Sequence, residues 1–384
     1  MKRLVWIVVL LVGSLGLAQK LTVLGPWSGA EADQFTPVLE AFEKETGIEV
    51  EYRTFRAEDL AQVLPAQFSA RRTPGDVIFI WNWWIEQNAQ HAVDLSGLVD
   101  TDPFITDAVR VDGALVGLPY VMSVKPGFWY RKSFFEANGL EVPTSWDEFV
   151  ALLEKIQSIP GVKNAIASGD GVGWPLSDVT EHFLATFGGP ELIHDLIAGK
   201  VSWESDKVRS IFEERLVPLL EKDYFSDPIE WTQAVDLWWN GDYGLYFMGN
   251  WITGMVEDPT DLGVFPLPGA QAVVAAADYL FVPKYSENVE AAKQLAAFLV
   301  SKKGVEIRVA KGGKLSMRSD VGPESYAAAE QELARALQGF GTLPDLDDSI
   351  GGAWQQAFWD QLKLLWVRPG RLGDVLQTLE ERRQ

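Results

Sequence analysis

Short apolar runs alternate with amphipathic segments over residues 20–80, and this alternation limits what the chain can fold into. Apolar residues spaced i, i+3, i+4 and i+7 indicate a helix with one buried face, and Gly47 stands where a left-handed residue ends a helix. The resulting order, β-α-β-α-β, is typical of a doubly wound α/β sheet. Its predicted strands are Lys20–Leu24, Ile48–Tyr52 and Val77–Ile80, and its predicted helices are about Glu31–Thr46 and Ala57–Arg71.

A cluster of tryptophans follows the third predicted strand. Trp81, Trp83 and Trp84 stand directly behind it, and Trp27 lies in the loop after the first strand. In open α/β sheets ligands bind at the carboxyl edge of the strands, so these rings are expected at one edge. Two interpretations remain open, a ligand platform or the packing that aromatic clusters usually provide.

The N-terminus predicts export. A basic pair precedes an apolar run from Leu4 to Leu17, which is typical of a secretory signal peptide over residues 1–18, cleaved after Ala18. The run is shorter than the ~20 apolar residues of a membrane span, and no comparable stretch recurs. The chain has no cysteine, which excludes disulfides, thiolate metal sites and a lipid-bearing cysteine. We therefore expect a soluble periplasmic protein.

Composition narrows the class further. The chain carries 54 acidic against 33 basic residues, for a formal net charge of −21. Nucleic acids and anionic membranes are bound by basic patches, so neither is expected as a partner. The hydrophobic fraction of 47% is that of a globular protein. A length of 384 residues exceeds what one hydrophobic core supports, about 250–300 residues, and predicts two domains.

Residues 118–156, LPYVMSVKPGFWYRKSFFEANGLEVPTSWDEFVALLEKI, combine an extended segment, the triplet Tyr130-Arg131-Lys132 and a helix start at Pro143–Glu148. This run resembles the signature region of the extracellular solute-binding proteins of carbohydrate-type ATP-driven importers, the family 1 proteins similar to maltose-binding protein. It departs from the family triplet, Tyr-Asn-Lys, only at Arg131. Further segments resemble the family in the same order: FEKETGIEVEY (42–52), WWNGDYGLYFMGNW (238–251), LGVFPLPG (262–269) and YSENVEAAKQLAAFLVSKKG (285–304).

The resemblance implies a two-lobed α/β fold of the periplasmic binding protein type. Each lobe is then a mostly parallel sheet flanked by helices, and several chain crossings form the hinge. Crossings are expected near Val121–Lys125, Leu267–Asp278 and Arg318–Glu324. The N-terminal lobe would hold residues 19–121 and 278–320, and the C-terminal lobe residues 122–277 and 321–384.

The resemblance also implies a carbohydrate between the lobes. Pyranose faces stack on aromatic rings, while hydroxyls need fixed donors and acceptors, and the 16 tryptophans of the chain suit that chemistry. The family places ligand contacts at Trp83 and Trp84, whereas Trp81 is expected in the core. The expected ligand-binding residues are Trp27, Glu31, Trp83, Trp84, Lys125, Trp174, Asn250, Trp251, Asp278, Arg318 and Trp354.

Plain alternatives stay open for three of these residues. Glu31 can serve only to favour a helix N-terminus, Lys125 can lie on the surface, and Trp354 can pack its own helix. Trp174 ends a glycine-rich loop, Gly169–Trp174, which lacks the lysine and Ser/Thr of a phosphate-binding loop.

These inferences predict the periplasmic component of an ABC importer that captures a sugar and delivers it to the membrane permease. It is expected to be a monomer without cofactor, metal or catalytic residues. A binder of a non-sugar solute, such as a polyamine or glycerol phosphate, remains an alternative, although phosphate esters would call for several arginines. A secreted glycoside hydrolase would need two facing carboxylates. The three histidines show no metal-ligand spacing, and no Gly-x-Ser-x-Gly motif occurs.

Overall fold

A computed structural model describes residues 20–171, 173–337 and 339–383; the predicted signal peptide and its cleavage site lie outside these ranges. The strands are β1 (Lys20–Gly25), β2 (Glu49–Thr54), β3 (Val77–Phe79), β4 (Val109–Val111), β5 (Ala114–Lys125), β6 (Gly127–Arg131), β7 (Asn164–Ala167), β8 (Gly169–Asp170), β9 (Ile229–Glu230), β10 (Tyr243–Met248), β11 (Leu262–Phe265), β12 (Ala272–Phe281), β13 (Leu315–Ser316) and β14 (Gly341–Leu343).

The helices flank two main sheets. They are α1 (Ala30–Thr46), α2 (Ala57–Ser69), α3 (Asn82–Gln87), α4 (Lys132–Ala137), α5 (Trp146–Gln157), α6 (Trp174–Gly188), α7 (Pro190–Ile197), α8 (Asp206–Ile211), α9 (Val217–Glu221), α10 (Trp231–Trp239), α11 (Val289–Leu299), α12 (Lys302–Val309), α13 (Ala328–Ala336), α14 (Leu346–Ile350), α15 (Gly352–Val367) and α16 (Leu372–Arg382). Within the described ranges, none of them is both long and apolar enough to cross a membrane.

The first lobe is built on an eight-stranded sheet. β1 lies between β2 and β3 and pairs in parallel with both, which confirms the β-α-β-α-β unit predicted from the sequence. On the other side of β3, β12 runs antiparallel to β3 and to β5. The apolar face of α1, including Phe35 and Val38, packs with Leu21, Val23 and Phe79 of the strands in one buried core.

Local sequence signals account for the ends of several elements. Gly47 adopts a φ of 73° and donates its N–H to the carbonyl of Glu43, which ends α1. The β4–β5 hairpin turns on Asp112 and Gly113, whose φ angles of 51° and 86° suit a tight two-residue turn. Ser145 caps α5 by accepting a hydrogen bond from the N–H of Glu148 at 3.2 Å.

The second lobe has a four-stranded sheet in the order β11-β6-β10-β7. β10 is antiparallel to β6 and parallel to β7, and β11 is antiparallel to β6. Both sheets are therefore mixed, and the expectation of mostly parallel sheets is wrong in this respect. The reason lies in β5, β6, β11 and β12, the strands next to the chain crossings, since their pairings with one another are antiparallel.

The chain passes between the lobes at several points. Only Pro126 separates β5, in the first sheet, from β6, in the second, and β11 of the second sheet leads back to β12 of the first. The first passage is fixed by a hydrogen bond from the N–H of Val124 to the side-chain oxygen of Asn250 at 2.9 Å. After β13 the chain reaches α13, whose Glu330 accepts a hydrogen bond from the N–H of Gly313 at 2.7 Å. The residue limits given above for the two lobes remain a prediction. The end of β5 and the whole of β12 belong to the first sheet, although those limits assign residues 122–277 to the C-terminal lobe.

Candidate ligand-binding site

A cavity of about 510 Å³ lies between the two lobes. The first lobe lines it with the loop after β1, the N-termini of α1 and α2, the end of β3 and parts of β5 and β12. The second lobe contributes the N-termini of α6, α10 and α14, with one residue each from the 3-10 turn after β10 and from α15. Cavities of this size are typical of small-molecule sites, about 300–1,000 Å³.

Aromatic rings form much of the cavity wall. Trp174 and Trp251 meet edge to face with their ring centroids 5.6 Å apart, and Trp231 packs against Trp174 at the same distance. On the first lobe Trp27 is held by Phe35 and Phe79, each with a centroid distance of 4.7 Å. The tryptophans that line the cavity are Trp27, Trp81, Trp174, Trp231, Trp251 and Trp359.

The three tryptophans after β3 are oriented differently from the prediction. β3 ends at Phe79 and α3 begins at Asn82, so the helical period decides where their rings point. Trp81 lines the cavity and stacks on Trp83, with ring centroids 5.3 Å apart and planes at 14°. Trp84 is only 5% exposed and packs in the core. The assignment of Trp81 to the core and of Trp84 to the ligand surface is therefore corrected.

A lysine-centred group of side chains lies on the first-lobe side. The Lys314 ammonium is 3.0 Å from a carboxylate oxygen of Asp278 and donates a hydrogen bond to the Ser123 hydroxyl at 2.8 Å. It also lies 5.8 Å from the ring centroid of Trp27. Burial raises the pKa of Glu31, in the first turn of α1, and Lys314 opposes that shift. The Lys314 group thus presents fixed donors and acceptors beside an aromatic ring.

A second lysine-centred group forms the floor on the other side. The ammonium of Lys125, at the end of β5, contacts the carboxylates of Asp178 and Asp345, and all three side chains are almost fully buried. Glu181, one turn along α6 from Asp178, accepts a hydrogen bond from the N–H of Leu346 at 2.9 Å. We call Lys125, Asp178, Glu181, Asp345, Asp347 and Asp348 the acidic cluster; Asp345, Asp347 and Asp348 line the cavity with Lys125.

Burial controls the protonation of the acidic cluster. It lowers the pKa of Lys125, but the surrounding carboxylates outweigh it and raise that pKa well above its ordinary value. Burial raises the pKa of Glu181 and of Asp348 to about 7, and like charge from Asp345 adds to both shifts. Burial also acts to raise the pKa of Asp345, but the charge of Lys125 and the hydrogen bonds to Asp347, Lys125 and the N–H of Asp348 together outweigh burial, so the pKa of Asp345 is lowered. At neutral pH the cavity floor therefore offers both protonated and ionised carboxyl groups.

The structure brings six of the expected ligand-binding residues to the cavity and leaves five away from it. The lining residues are Trp27, Glu31, Lys125, Trp174, Trp251 and Asp278. Lys125 is buried, which removes the surface alternative. Trp83 is not among the lining residues and supports Trp81 from behind.

Three of the expected residues that lie away from the cavity make hydrogen bonds or packing contacts elsewhere in the protein. Asn250 is fully buried and holds the N–H of Val124 at the first crossing. Arg318 donates to both oxygens of Asp320 at 2.8 Å and to the carbonyl of Val300. Trp354 packs on Trp203 and Phe358 in the second-lobe core and is 4% exposed. Asn250 and Arg318 are expected at the cavity because they lie near a strand end and a crossing, and tertiary packing turns both away. Trp354 follows the alternative left open above, since it packs on Phe358 of its own helix.

Several lining residues were missed by the sequence analysis. They fall at helix starts: Arg56 and Glu230 precede α2 and α10, and Asp345 precedes α14 and accepts a hydrogen bond from the N–H of Asp348. The residue before a helix is readable from sequence as a capping position. Which helix starts converge on one cavity depends on the tertiary fold. Trp359 and Lys314 carry no comparable local signal.

Comparison with known proteins places the chain in a family. Residues 27–306 match the model of the bacterial extracellular solute-binding proteins. The chain is 56% identical to an ABC transporter extracellular-binding protein of Pyrococcus horikoshii, over 94% of this chain and 88% of the relative. It therefore belongs to the bacterial extracellular solute-binding proteins, a family of extracellular binding proteins and not of enzymes.

Solved structures show the same fold. The solute receptor AcbH, described as having an exclusive preference for β-D-galactopyranose, superposes with a TM-score of 0.81 at 18% identity, covering 95% of this chain and 98% of the receptor. Maltose-bound MalE3 of T. maritima superposes with a TM-score of 0.78 at 21% identity, with the same coverage of both chains. These similarities confirm the two-lobed α/β fold expected from the sequence.

Proposed function

We propose that this protein captures a sugar or oligosaccharide in the cavity between its lobes and delivers it to the permease of an ABC importer. The observation that carries the proposal is the combination, in one cavity of about 510 Å³, of six tryptophan rings with two fixed lysine–carboxylate groups. The Pyrococcus relative supports the transporter assignment by its name, and the galactopyranose and maltose proteins support a carbohydrate ligand.

The tryptophan rings and the charged groups would recognise different parts of a sugar. Tryptophan faces accept the C–H faces of pyranose rings, and carboxylates and ammonium groups hydrogen-bond to hydroxyls. We assign stacking to the lining tryptophans, and hydrogen bonding to Glu31, Asp278 and Lys314 on one side and Asp345 and Asp348 on the other. Lys125 is assigned a positioning role, because its ammonium is engaged by Asp178 and Asp345.

Closure of the lobes would couple binding to delivery. A ligand shifts a two-state equilibrium only by its differential affinity for the two states. Trp27 and Trp81 belong to the first lobe, whereas Trp174, Trp231 and Trp251 belong to the second. A sugar that touches both walls would therefore favour the closed form. We further propose a periplasmic monomer without catalytic activity, released by cleavage after Ala18.

A cationic solute such as a polyamine is a second candidate, favoured by one observation. Seven carboxylic residues line the cavity against three cationic ones. Ammonium groups are attracted both to carboxylates and to the faces of tryptophan rings. The cationic residues are Arg56, Lys125 and Lys314, and the carboxylic residues are Glu31, Glu58, Glu230, Asp278, Asp345, Asp347 and Asp348.

Titration of the intrinsic tryptophan fluorescence separates these candidates. Mono- and oligosaccharides built from glucose, galactose, mannose and xylose form the panel, with spermidine and glycerol phosphate as the non-sugar arms. We expect a saturable response to at least one sugar. No response to any sugar, together with saturable binding of spermidine, would replace the carbohydrate proposal by the polyamine one. Release of reducing ends from an oligosaccharide would show hydrolysis and contradict the non-catalytic assignment.

A further inference from the structure

The acidic cluster holds more negative charge than its lysine can balance. Asp178, Glu181, Asp345 and Asp347 are buried. Among the described residues, the cation paired with this group is Lys125, which contacts Asp178 and Asp345. Removing a charge from water is costly unless an opposite charge accompanies it. The arrangement therefore calls for additional positive charge, supplied either by protons or by a bound cation.

The oxygen atoms of the cluster have a spacing that suits a metal ion. One oxygen each of Glu181, Asp345 and Asp347 lies within 4.8 Å of the other two. Oxygen ligands lie about 2.3–2.6 Å from Ca²⁺, so ligands on opposite sides of the ion are about 4.6–5.2 Å apart. The three oxygens can thus contact one ion without large movement of the side chains.

One buried carboxylate oxygen of the acidic cluster has no hydrogen-bond partner among the described residues. Asp178 is 1% exposed and contacts Lys125 through Oδ1, whereas its Oδ2 has no hydrogen-bond partner among the described residues. Asp178 and Glu181 are three residues apart on α6, so their side chains lie on one face of the helix. A carboxylate oxygen that is buried without a hydrogen-bond donor loses its contacts with water and gains nothing in their place, which costs free energy. The charges of Asp345 and Glu181 act on Asp178, so a cation held by these two residues would offset its uncompensated charge.

The candidate ligands are already oriented by neighbouring groups. The indole N–H of Trp359 donates to Asp347, and the Gln355 amide donates to the same carboxylate oxygen at 3.3 Å. The Ser177 hydroxyl donates to Glu181 at 2.9 Å, as does the N–H of Leu346. Such outer contacts orient the ligands of natural metal sites. The helices α6 and α15 and the start of α14 thus converge on one point.

We propose that Glu181, Asp345 and Asp347 bind a divalent cation of the Ca²⁺ class at the floor of the cavity. All the ligand atoms are carboxylate oxygens, which hard cations prefer. Histidine does not contribute, because His182, next to Glu181, accepts a hydrogen bond from the N–H of Leu267 with its Nε2 at 3.0 Å. Asp345 shares its charge between Lys125 and the ion. The proposal is independent of the identity of the transported solute.

The site gives the cation a structural role in the second lobe. An ion there would join α6 to the segment that precedes and begins α14, two parts of the chain more than 160 residues apart. It would also hold Asp345 and Asp347 in place where they line the cavity. Cation binding is therefore expected to raise the melting temperature of the protein, because the ion binds the folded state and not the unfolded chain.

Terbium luminescence tests the proposal directly. Tb³⁺ replaces Ca²⁺ at oxygen sites and emits when a neighbouring tryptophan is excited, and Trp359 contacts one of the proposed ligands. The full mature chain is stripped with EDTA, exchanged into chelator-free buffer without sugar and titrated with Tb³⁺. We expect saturable emission at one ion per chain, displaced by CaCl₂ but not by spermidine. CaCl₂ alone should raise the melting temperature.

Two matched variants identify the site. D347N preserves the size of a proposed ligand and removes its charge, and is expected to weaken Tb³⁺ and Ca²⁺ binding by about tenfold or more. D360N removes a charge from the exposed side of the same helix as Trp359 and should leave binding unchanged. E181Q, checked for folding by circular dichroism, replaces D347N if that variant does not fold. Non-saturable emission, displacement by spermidine alone, or equal affinities in D347N and D360N would each overturn the proposal.

Discussion

Trp81 and Trp84 lie in different environments, so replacing each of them with alanine is expected to have opposite effects on stability and on ligand affinity. W84A removes a ring that is 5% exposed and packs on Phe68 and Phe281, with centroid distances of 6.3 and 5.9 Å. W81A removes a half-buried ring from the cavity wall. We expect W84A to reduce the stability of the protein but to change ligand affinity little under conditions where the variant is folded. We expect W81A to reduce ligand affinity and to change stability little.

The expected sizes follow from burial. Truncating a buried tryptophan to alanine costs about 3–5 kcal/mol, in keeping with about 150–250 Å² of buried surface at about 25 cal/mol per Å². W81A loses mainly its stacking contact with Trp83, worth about 0.5–1.5 kcal/mol. The loss of one stacking face for a sugar is expected to cost about 1–2 kcal/mol of binding, or about 5–30-fold in Kd.

Two measurements check the contrast. Urea denaturation followed by far-ultraviolet circular dichroism compares the stability of wild type, W81A and W84A, and a shift of midpoint at constant slope reports a change in stability. Isothermal titration calorimetry compares affinities for the panel sugar that wild type binds most tightly, since calorimetry does not depend on the fluorescence of the replaced ring. W84A is titrated at a temperature where circular dichroism shows it folded.

The reverse outcome would refute the placement of these rings. If W84A kept the wild-type urea midpoint and lost sugar affinity, Trp84 would be a ligand contact, as the family resemblance implies. If W81A lowered the midpoint as much as W84A and bound sugar normally, Trp81 would be the core residue. Either result would show that α3 does not begin at Asn82 as described, because the helix start sets both orientations.

Three further predictions test other parts of the structure. K125M, which leaves two buried carboxylates without their cation, should lower the free energy of unfolding by about 3–5 kcal/mol in urea at neutral pH; an unchanged midpoint would contradict the buried ion pairs. G127A should yield little folded protein on circular dichroism, because Gly127 has a φ of 141° and a Cβ there would lie 2.2 Å from the carbonyl oxygen of Phe265; wild-type stability would disprove this strain. Burial raises the pKa of Glu330 above 4.5, against hydrogen bonds from Thr253 and the N–H of Gly313 and the charge of Arg308. Its contribution to stability is therefore present below that value and is lost as pH rises through the raised pKa. E330Q should flatten this part of the stability–pH curve measured by urea denaturation, and equal slopes in both proteins would exclude the assignment.

Much of the fold could be predicted because it follows from local signals. The order of strands and helices to β3, the turn at Asp112 and Gly113, and the cap at Ser145 each depend on residues close together in sequence. The orientation of Trp81 and Trp84 could not be predicted, because it depends on whether the chain is strand or helix at that point. Successive side chains point to opposite faces in a strand but are turned by about 100° in a helix, so the start of α3 at Asn82 changes which ring faces the core.

Some residues of the candidate site could likewise be predicted from the sequence, and others could not. Trp27 and Trp174 could be expected at the cavity because each lies beside a predicted strand end or loop. Lys125 of the acidic cluster could also be expected at the site, but the carboxylates of the cluster could not be, since they come from α6 and the start of α14 and meet Lys125 only in the folded chain. In a chain with 54 acidic residues, no local signal distinguishes these carboxylates from those on the surface.

The two lysine-centred groups also explain how a cavity rich in carboxylates can bind a neutral ligand, because they hold the polar side chains in place before binding. Lys314 contacts Asp278 and Ser123, and Lys125 contacts Asp345, so these polar groups are held before any ligand arrives. Side chains that are already ordered lose little entropy on binding. The Lys314 group belongs to the first lobe, and Asp345 belongs to the second. A ligand that satisfies both groups must bridge the lobes, and that requirement, more than any single contact, would make its affinity depend on closure.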